Sequence, residues 1–177
     1  MLNPTFLDAP FGHSRPRSPI PATLGEAELG SFLEHLAIRR ERPSVPFLRR
    51  LQRRCLTTVP FENLDIHWRV PIALDIDHAW EKIVRRNRGG YCYELNGLFG
   101  WALERLGFDV ALLSGKVWRK PIRSWGPDYD HLALHVRIDG GDYLVDVGYG
   151  DSFRAPLPLP STERSDVSGA YRLSPDG

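Results

Sequence analysis

Apolar positions recur at helical spacing through the first part of the chain and alternate through much of the second. Leu29, Phe32, Leu33 and Leu36 fall at i, i+3, i+4 and i+7 and form one stripe. Pro43 and Pro46 interrupt it. Ser44 is a natural N-cap for a second helix with Phe47, Leu48 and Leu51 on one side, and Pro46 is tolerated in a first turn. That helix should end before Pro60. The stretch VPFENLDIHWRVPIALD, residues 59–75, has no clean period and reads as loop. Asp77 is then a candidate cap for a third helix running through Trp80, Ile83 and Val84. The longest stripe joins Leu95, Leu98, Phe99, Ala102, Leu103 and Leu106 and stops at Gly107.

Past Gly107 the texture changes. FDVALLSGKVW is rich in β-formers, and HLALHVRI and DYLVDVGYG alternate around Asp139-Gly140-Gly141, a hairpin turn. A helical first half before a β-rich second half predicts an α+β chain. Residues 1–22, rich in Pro and polar residues, read as a loose arm. Residues 23–107 read as a helical unit and 108–177 as a β-rich unit with three or so strands. Beyond Gly150 the Pro/Ser-rich text looks irregular.

Composition narrows the function classes. The chain has 177 residues, 42% hydrophobic and 25% charged, with a formal net charge of +1. That balance gives no nucleic-acid or membrane footprint. No apolar run approaches the roughly 20 residues of a membrane span. The N-terminus lacks the apolar core and cleavage site of a signal peptide, so a cytoplasmic protein is expected. There is no phosphate-binding or dinucleotide-binding glycine motif, and no Cys/His spacing that defends a metal site.

Two cysteines, Cys55 and Cys92, make no disulfide framework. Cys92 follows Gly89 and Gly90 and opens the longest helix. A free cysteine is often a small buried hydrophobe. A helix N-terminus, however, carries unsatisfied N–H groups and partial positive charge, which stabilise a thiolate. The two glycines let the backbone turn sharply just before the thiol, leaving N–H groups to bind an oxyanion. A cysteine nucleophile needs a histidine, and the histidine an orienting acceptor. His131 and His135 share one face of a predicted strand. Asp146, among Leu144, Val145 and Val147, should be buried and therefore paired.

These residues resemble a family. RGGYCYELN, residues 88–96, is similar to the R-G-G-x-C-x-E-x-N signature of the arylamine N-acetyltransferases. VPFENLDI resembles their V/I-P-F-E-N-L segment. HLALHV and YLVDVGYG resemble their histidine and aspartate strands, with Tyr149 where Phe is common. The Cys-His-Asp order and the separations of 39 and 15 residues also agree. The resemblance spans roughly residues 25–160. Cys55 stands where the family often has His.

The resemblance implies a helical bundle, then a β-barrel-like antiparallel domain, then a third α/β lid domain, which this shorter chain is expected to lack. It implies a triad of Cys92, His131 and Asp146. Phe61, Val117, Tyr149 and Gly150 would line the acceptor site. Glu62 and Arg88 would brace the catalytic loop, with Gly89, Gly90 and Asn96 supporting it. It implies acetyl-CoA as donor and small aromatic amines or hydrazines as acceptors, by a ping-pong reaction through acetyl-Cys92, with no metal. The same triad would also serve a cysteine hydrolase, and a fragment or pseudoenzyme is the non-enzymatic reading. One conflict stands within the sequence. A short hairpin at Asp139–Gly141 pairs Asp146 with residue 134 or 135, which favours His135; the motif favours His131.

Overall fold

A computed structural model describes residues 2–3, 20, 22–160 and 163–174. Helix α1 spans Glu26–His35 and α2 Val45–Thr58. Ser44 caps α2 as expected, its hydroxyl accepting from the Phe47 N–H, with Pro46 in the first turn. The stripes read from the sequence are buried: Leu29, Phe32, Leu33 and Leu36 share one core with Phe47, Leu48, Leu51 and Cys55.

The expected loop after α2 contains one short helix, α3 (Leu64–His67). It buries Asp65 and leaves Leu64 and Ile66 exposed, which is why no apolar period announced it. Helix α4, Ile76–Trp80, is capped by Asp75, whose side chain accepts from the His78 N–H at 2.6 Å. The Asp77 carboxylate points away and accepts from the Thr23 N–H instead, so the expected cap is displaced by two residues. A wider π-helical turn, Glu81–Arg85, continues α4 and carries Ile83 into the core. Helix α5, Cys92–Arg105, is buried along most of its length.

The β half is an antiparallel sheet packed on α5. Its strands are β1 (Leu2–Asn3), β2 (Asp109–Arg119), β3 (Ser124–Trp125), β4 (His131–Ile138), β5 (Gly141–Val145) and β6 (Leu157–Leu159). The order is β1-β2-β4-β5-β6, with β3 paired to β2. Asp139 and Gly140 form the β4–β5 turn with φ of 52° and 74°, the left-handed pair that suits a two-residue hairpin. A second hairpin joins β7 (Arg164–Asp166) to β8 (Gly169–Tyr171). The reading of an irregular tail after Gly150 therefore missed β6, β7 and β8. Each is three residues long, too short to show an alternation.

Most of the arm, 1–22, lies outside the described residues. Its described positions are docked rather than loose. Leu2–Asn3 pairs with Val117 and Lys116, the Ile20 N–H donates to Glu104 at 2.9 Å, and Ile20 and Ala22 pack on the core. No helix among the described residues is long and apolar enough to cross a membrane.

Candidate active site

Cys92 is the first residue of α5, where the helix leaves its N–H groups unsatisfied. The approach to it is held from below. The Gly90 N–H donates to Pro60 O at 3.2 Å, and the Glu62 N–H to Gly90 O at 2.9 Å, so Phe61 and Gly90 form a short parallel bridge. The chains pass so closely that a Cβ on Gly89 would stand 2.0 Å from Pro60 O. The VPFENL segment and the RGG segment are thus one structural unit, though far apart in sequence.

The hairpin register sets which histidine Asp146 meets. Ile138 pairs with Gly141, Leu134 with Val145 and His135 with Leu144. Carried one step on, this register sets Asp146 opposite Ala133, not His135. Asp146 reaches diagonally along the same face to His131, with Oδ2 2.6 Å from Nε2. Asp142 reaches by the same diagonal to His135 at 2.7 Å. Diagonal neighbours two positions apart are within reach of such side chains. The simple pairing argument directed Asp146 towards His135 because it ignored this diagonal and placed the register one residue too far.

Asp146 is buried and fully engaged. Its Oδ1 accepts from Asn96 Nδ2 at 2.9 Å and from the Gly148 N–H at 2.8 Å. Asn96 also donates to Leu132 O and accepts from the Val147 N–H, joining α5 to both edges of the hairpin. His131 also interacts with the Cys92 thiol. With Nε2 engaged by Asp146, Nδ1 is the ring nitrogen left for sulfur. Burial alone would lower the pKa of His131, but its interactions with Asp146 and Cys92 outweigh that and push it up to about 9. The arrangement therefore favours an imidazolium beside the sulfur at neutral pH, the state in which a thiolate is the better nucleophile. Cys55 is the opposite case: burial pushes its thiol up to about 12.

The remaining expected residues fall into two groups. Tyr149 stands edge-on to the His131 ring, centroids 5.3 Å apart. Val117 lies two residues beyond Gly115, the β2 partner of His131, and so on the same face. Phe61 is 48% exposed above the Gly90 bridge, and Gly150 is exposed with φ 90°. Glu62 and Arg88 do pair, at 2.7 Å. Sequence reasoning missed what surrounds that pair. Lys82, Asp65 and Glu94 are buried with it in one charged cluster. It also missed Gly148, where a Cβ would meet Cys92 Cα at 2.7 Å and Asn96 Nδ2 at 2.8 Å. The one available signal for Lys82 was its position three residues after Ala79, on an otherwise apolar helical stripe.

A family profile described as N-acetyltransferase matches residues 44–177. The arylamine N-acetyltransferase of Mycolicibacterium smegmatis is 42% identical over 138 residues, 75% of this chain and 50% of that protein. This chain belongs to the arylamine N-acetyltransferase family. Among solved arylamine N-acetyltransferases, that of Salmonella typhimurium superposes with a TM-score of 0.80 at 36% identity, over 85% of this chain and 56% of that one. The Mycobacterium marinum enzyme, solved in complex with CoA, gives 0.78 at 38% identity, over 84% and 57%. The chain thus spans about half the length of the curated family members it matches. Helices followed by a curled antiparallel sheet are common to it and its structural neighbours.

Proposed function

We propose that this chain transfers an acetyl group from acetyl-CoA to an arylamine, arylhydrazine or N-hydroxyarylamine through a thioester on Cys92. The observation that carries this reading is the pairing of His131 with Asp146 at 2.6 Å, with the same imidazole interacting with Cys92 at the start of α5, in a chain of this family. The CoA complex of the Mycobacterium marinum relative supports the donor.

In the first half-reaction the Cys92 thiolate attacks the acetyl carbonyl of acetyl-CoA. The tetrahedral oxyanion lies near the free N–H groups of the first α5 turn. Its collapse breaks the bond to the CoA sulfur, which leaves with the proton from His131. In the second half-reaction the acceptor nitrogen attacks the thioester carbonyl and gives its proton to the imidazole. Cys92 leaves as the thiolate, again paired with imidazolium. Asp146, held by Asn96 and the Gly148 N–H, fixes the ring orientation throughout. Phe61, Val117 and Tyr149 offer apolar surface to the aromatic acceptor.

Acetyl-CoA turnover measured with and without an arylamine tests the reading, alongside intact-mass detection of acetyl-Cys92. Amine-dependent CoA release with an acetylated wild-type chain and a silent Cys92→Ser variant is expected. CoA release equally fast without amine would assign the triad to a hydrolase. Absence of any acetyl adduct on Cys92 overturns the reading.

A further inference from the structure

The buried charges behind Cys92 have an order that the Glu62–Arg88 pair alone does not explain. Glu94 sits two residues after Cys92, in the first turn of α5. Its Oε2 turns back to accept from the Tyr91 N–H at 3.1 Å, capping the helix. Gly90 leaves room for this: a Cβ there would stand 2.9 Å from the same oxygen. The cap has a cost for the chemistry. A buried carboxylate two residues from the nucleophile opposes a thiolate at that helix end. Lys82 removes the conflict. Its Nζ lies 2.9 and 2.8 Å from the two Glu94 oxygens, 2.9 Å from Asp65 and 3.6 Å from Glu62, and its side chain is 4% exposed. Burial would lower the Lys82 pKa, but the bonds from Glu94 and Asp65 outweigh that and raise it, so the ammonium persists. The π-helical turn brings Lys82 here, and its carbonyl accepts the Arg88 N–H at 3.1 Å, tying the same residue to the backbone that leads into Cys92.

We propose that Lys82 is a positioning residue of the reaction, neutralising Glu94 so that this carboxylate can cap α5 without suppressing the Cys92 thiolate. The inference rests on the nucleophile reading of Cys92. The groups acting directly on Cys92 are His131, itself held by Asp146, and Tyr91 and Tyr93 at its own helix end, while Glu94 lies two residues on in the same turn. Those facing Lys82 are Glu94, Asp65 and Glu62, with Arg88 shared between the last two. Replacing Lys82 leaves Arg88 as the one cation among the three carboxylates of this cluster.

The experiment is the pH profile of iodoacetamide alkylation at Cys92, in the full 177-residue chain carrying Cys55→Ser, read by mass spectrometry. The parent is expected to alkylate much faster than a free thiol at neutral pH. If it does not, the nucleophile reading fails before Lys82 is tested. Lys82→Met is expected to move the profile about one pH unit upward, roughly a tenfold loss of rate on its acidic limb. Lys82→Met/Glu94→Gln should recover most of that shift, because a neutral side chain restores the balance and still accepts from Tyr91. Lys82→Arg should stay near the parent. An unshifted Lys82→Met profile in a folded protein, or a double variant no better than the single, overturns the proposal. Should Lys82→Met fail to fold, Glu94→Gln alone decides. A downward shift supports the proposal, and an unshifted profile overturns it.

Discussion

At the scale of single residues, the site depends on contacts too close to admit change. Gly148 packs its Cα face against the first residue of α5, and an added methyl there meets Cys92 Cα at 2.7 Å. Both backbones would have to move, and a displacement of about 1 Å at a reacting group can cost about 100-fold in rate. Gly148→Ala is therefore expected to lose about 10- to 100-fold in acetyl transfer while retaining its far-UV circular dichroism; unchanged kinetics would show that the hairpin end yields without moving Cys92. The two histidines give a second contrast. His131→Ala should abolish fast alkylation of Cys92 and His135→Ala should not, since Asp142 holds His135. The reverse result would return the role to His135. His131 also predicts a pH dependence of stability. Its pKa is raised in the folded chain, to about 9 from an ordinary 6.5. Its contribution is thus complete below about 6.5 and is lost as pH rises through about 9, up to ~3 kcal/mol in all. Thermal melts of the wild type should fall across that window, and melts of His131→Gln should fall less. Cys92, His131, Asp146, Asn96 and the Glu62–Arg88 pair were legible as residues because each sits in a contiguous motif. Gly148 also lies within one, but its need for hydrogen at Cα arises from a helix more than fifty positions away. Lys82 and Asp65 answer to charges that only the fold brings together.

At the scale of elements, legibility follows length and amphipathicity. α1, α2 and α5 have stripes of three or more buried residues and could be read from spacing alone. The α4 stripe was legible too, but its start was not. Asp75 and Asp77 are both acceptable caps, and the contact of Asp77 with Thr23 decides between them. The π-helical turn had no sequence sign, since an extra residue per turn is fixed by what it must deliver, here Ile83 to the core and Lys82 to the charged cluster. In the sheet, β4 and β5 alternate and carry their own turn, whereas β6, β7 and β8 take their definition from partners. Where an element is locally encoded, its cap is a fair test. At the α2 N-terminus the Ser44 hydroxyl accepts from the Phe47 N–H at 3.3 Å, and the Asp139 carboxylate accepts from the Val45 N–H at 3.4 Å. Ser44→Ala should cost about 1 kcal/mol by chemical denaturation, with Ser44→Asp restoring it. An Ala variant as stable as the parent would mean that Pro46 and tertiary packing alone hold this end.

At the scale of the whole molecule, one surface stands apart. Between Phe61 and Leu74 seven large apolar side chains are exposed: Phe61, Leu64, Ile66, Trp68, Val70, Ile72 and Leu74, with Trp68 at 64% and Leu74 at 69%. They surround α3, whose buried residue is a carboxylate, so the segment turns its charge inward and its hydrocarbon outward. The buried charge explains the inversion, since Asp65 is held by Lys82 and Arg88, and Arg88 also lies over the Trp68 ring. Large apolar side chains exposed in this number along one segment favour association in water. The net charge of +1 supplies little long-range repulsion to oppose it. The 177-residue polypeptide is therefore expected to self-associate through residues 61–74 and to melt over a broad range. Sedimentation velocity across a concentration series reads this directly: the weight-average sedimentation coefficient should rise with concentration. Trp68→Ser/Leu74→Ser should flatten that rise without changing Cys92 alkylation, because neither side chain touches the sulfur line. Alkylation and arylamine acetylation measured on one preparation separate the scales. The thiol draws on α5, the hairpin and the Lys82 cluster behind them, all present and packed, so alkylation should be fast in every association state. Turnover needs donor and amine held in register, which supplies much of the rate in a two-substrate reaction, and so should be the property that association disturbs. A monomer at every concentration with a sharp two-state melt and ordinary turnover would show that the 61–74 surface is tolerated by the isolated chain.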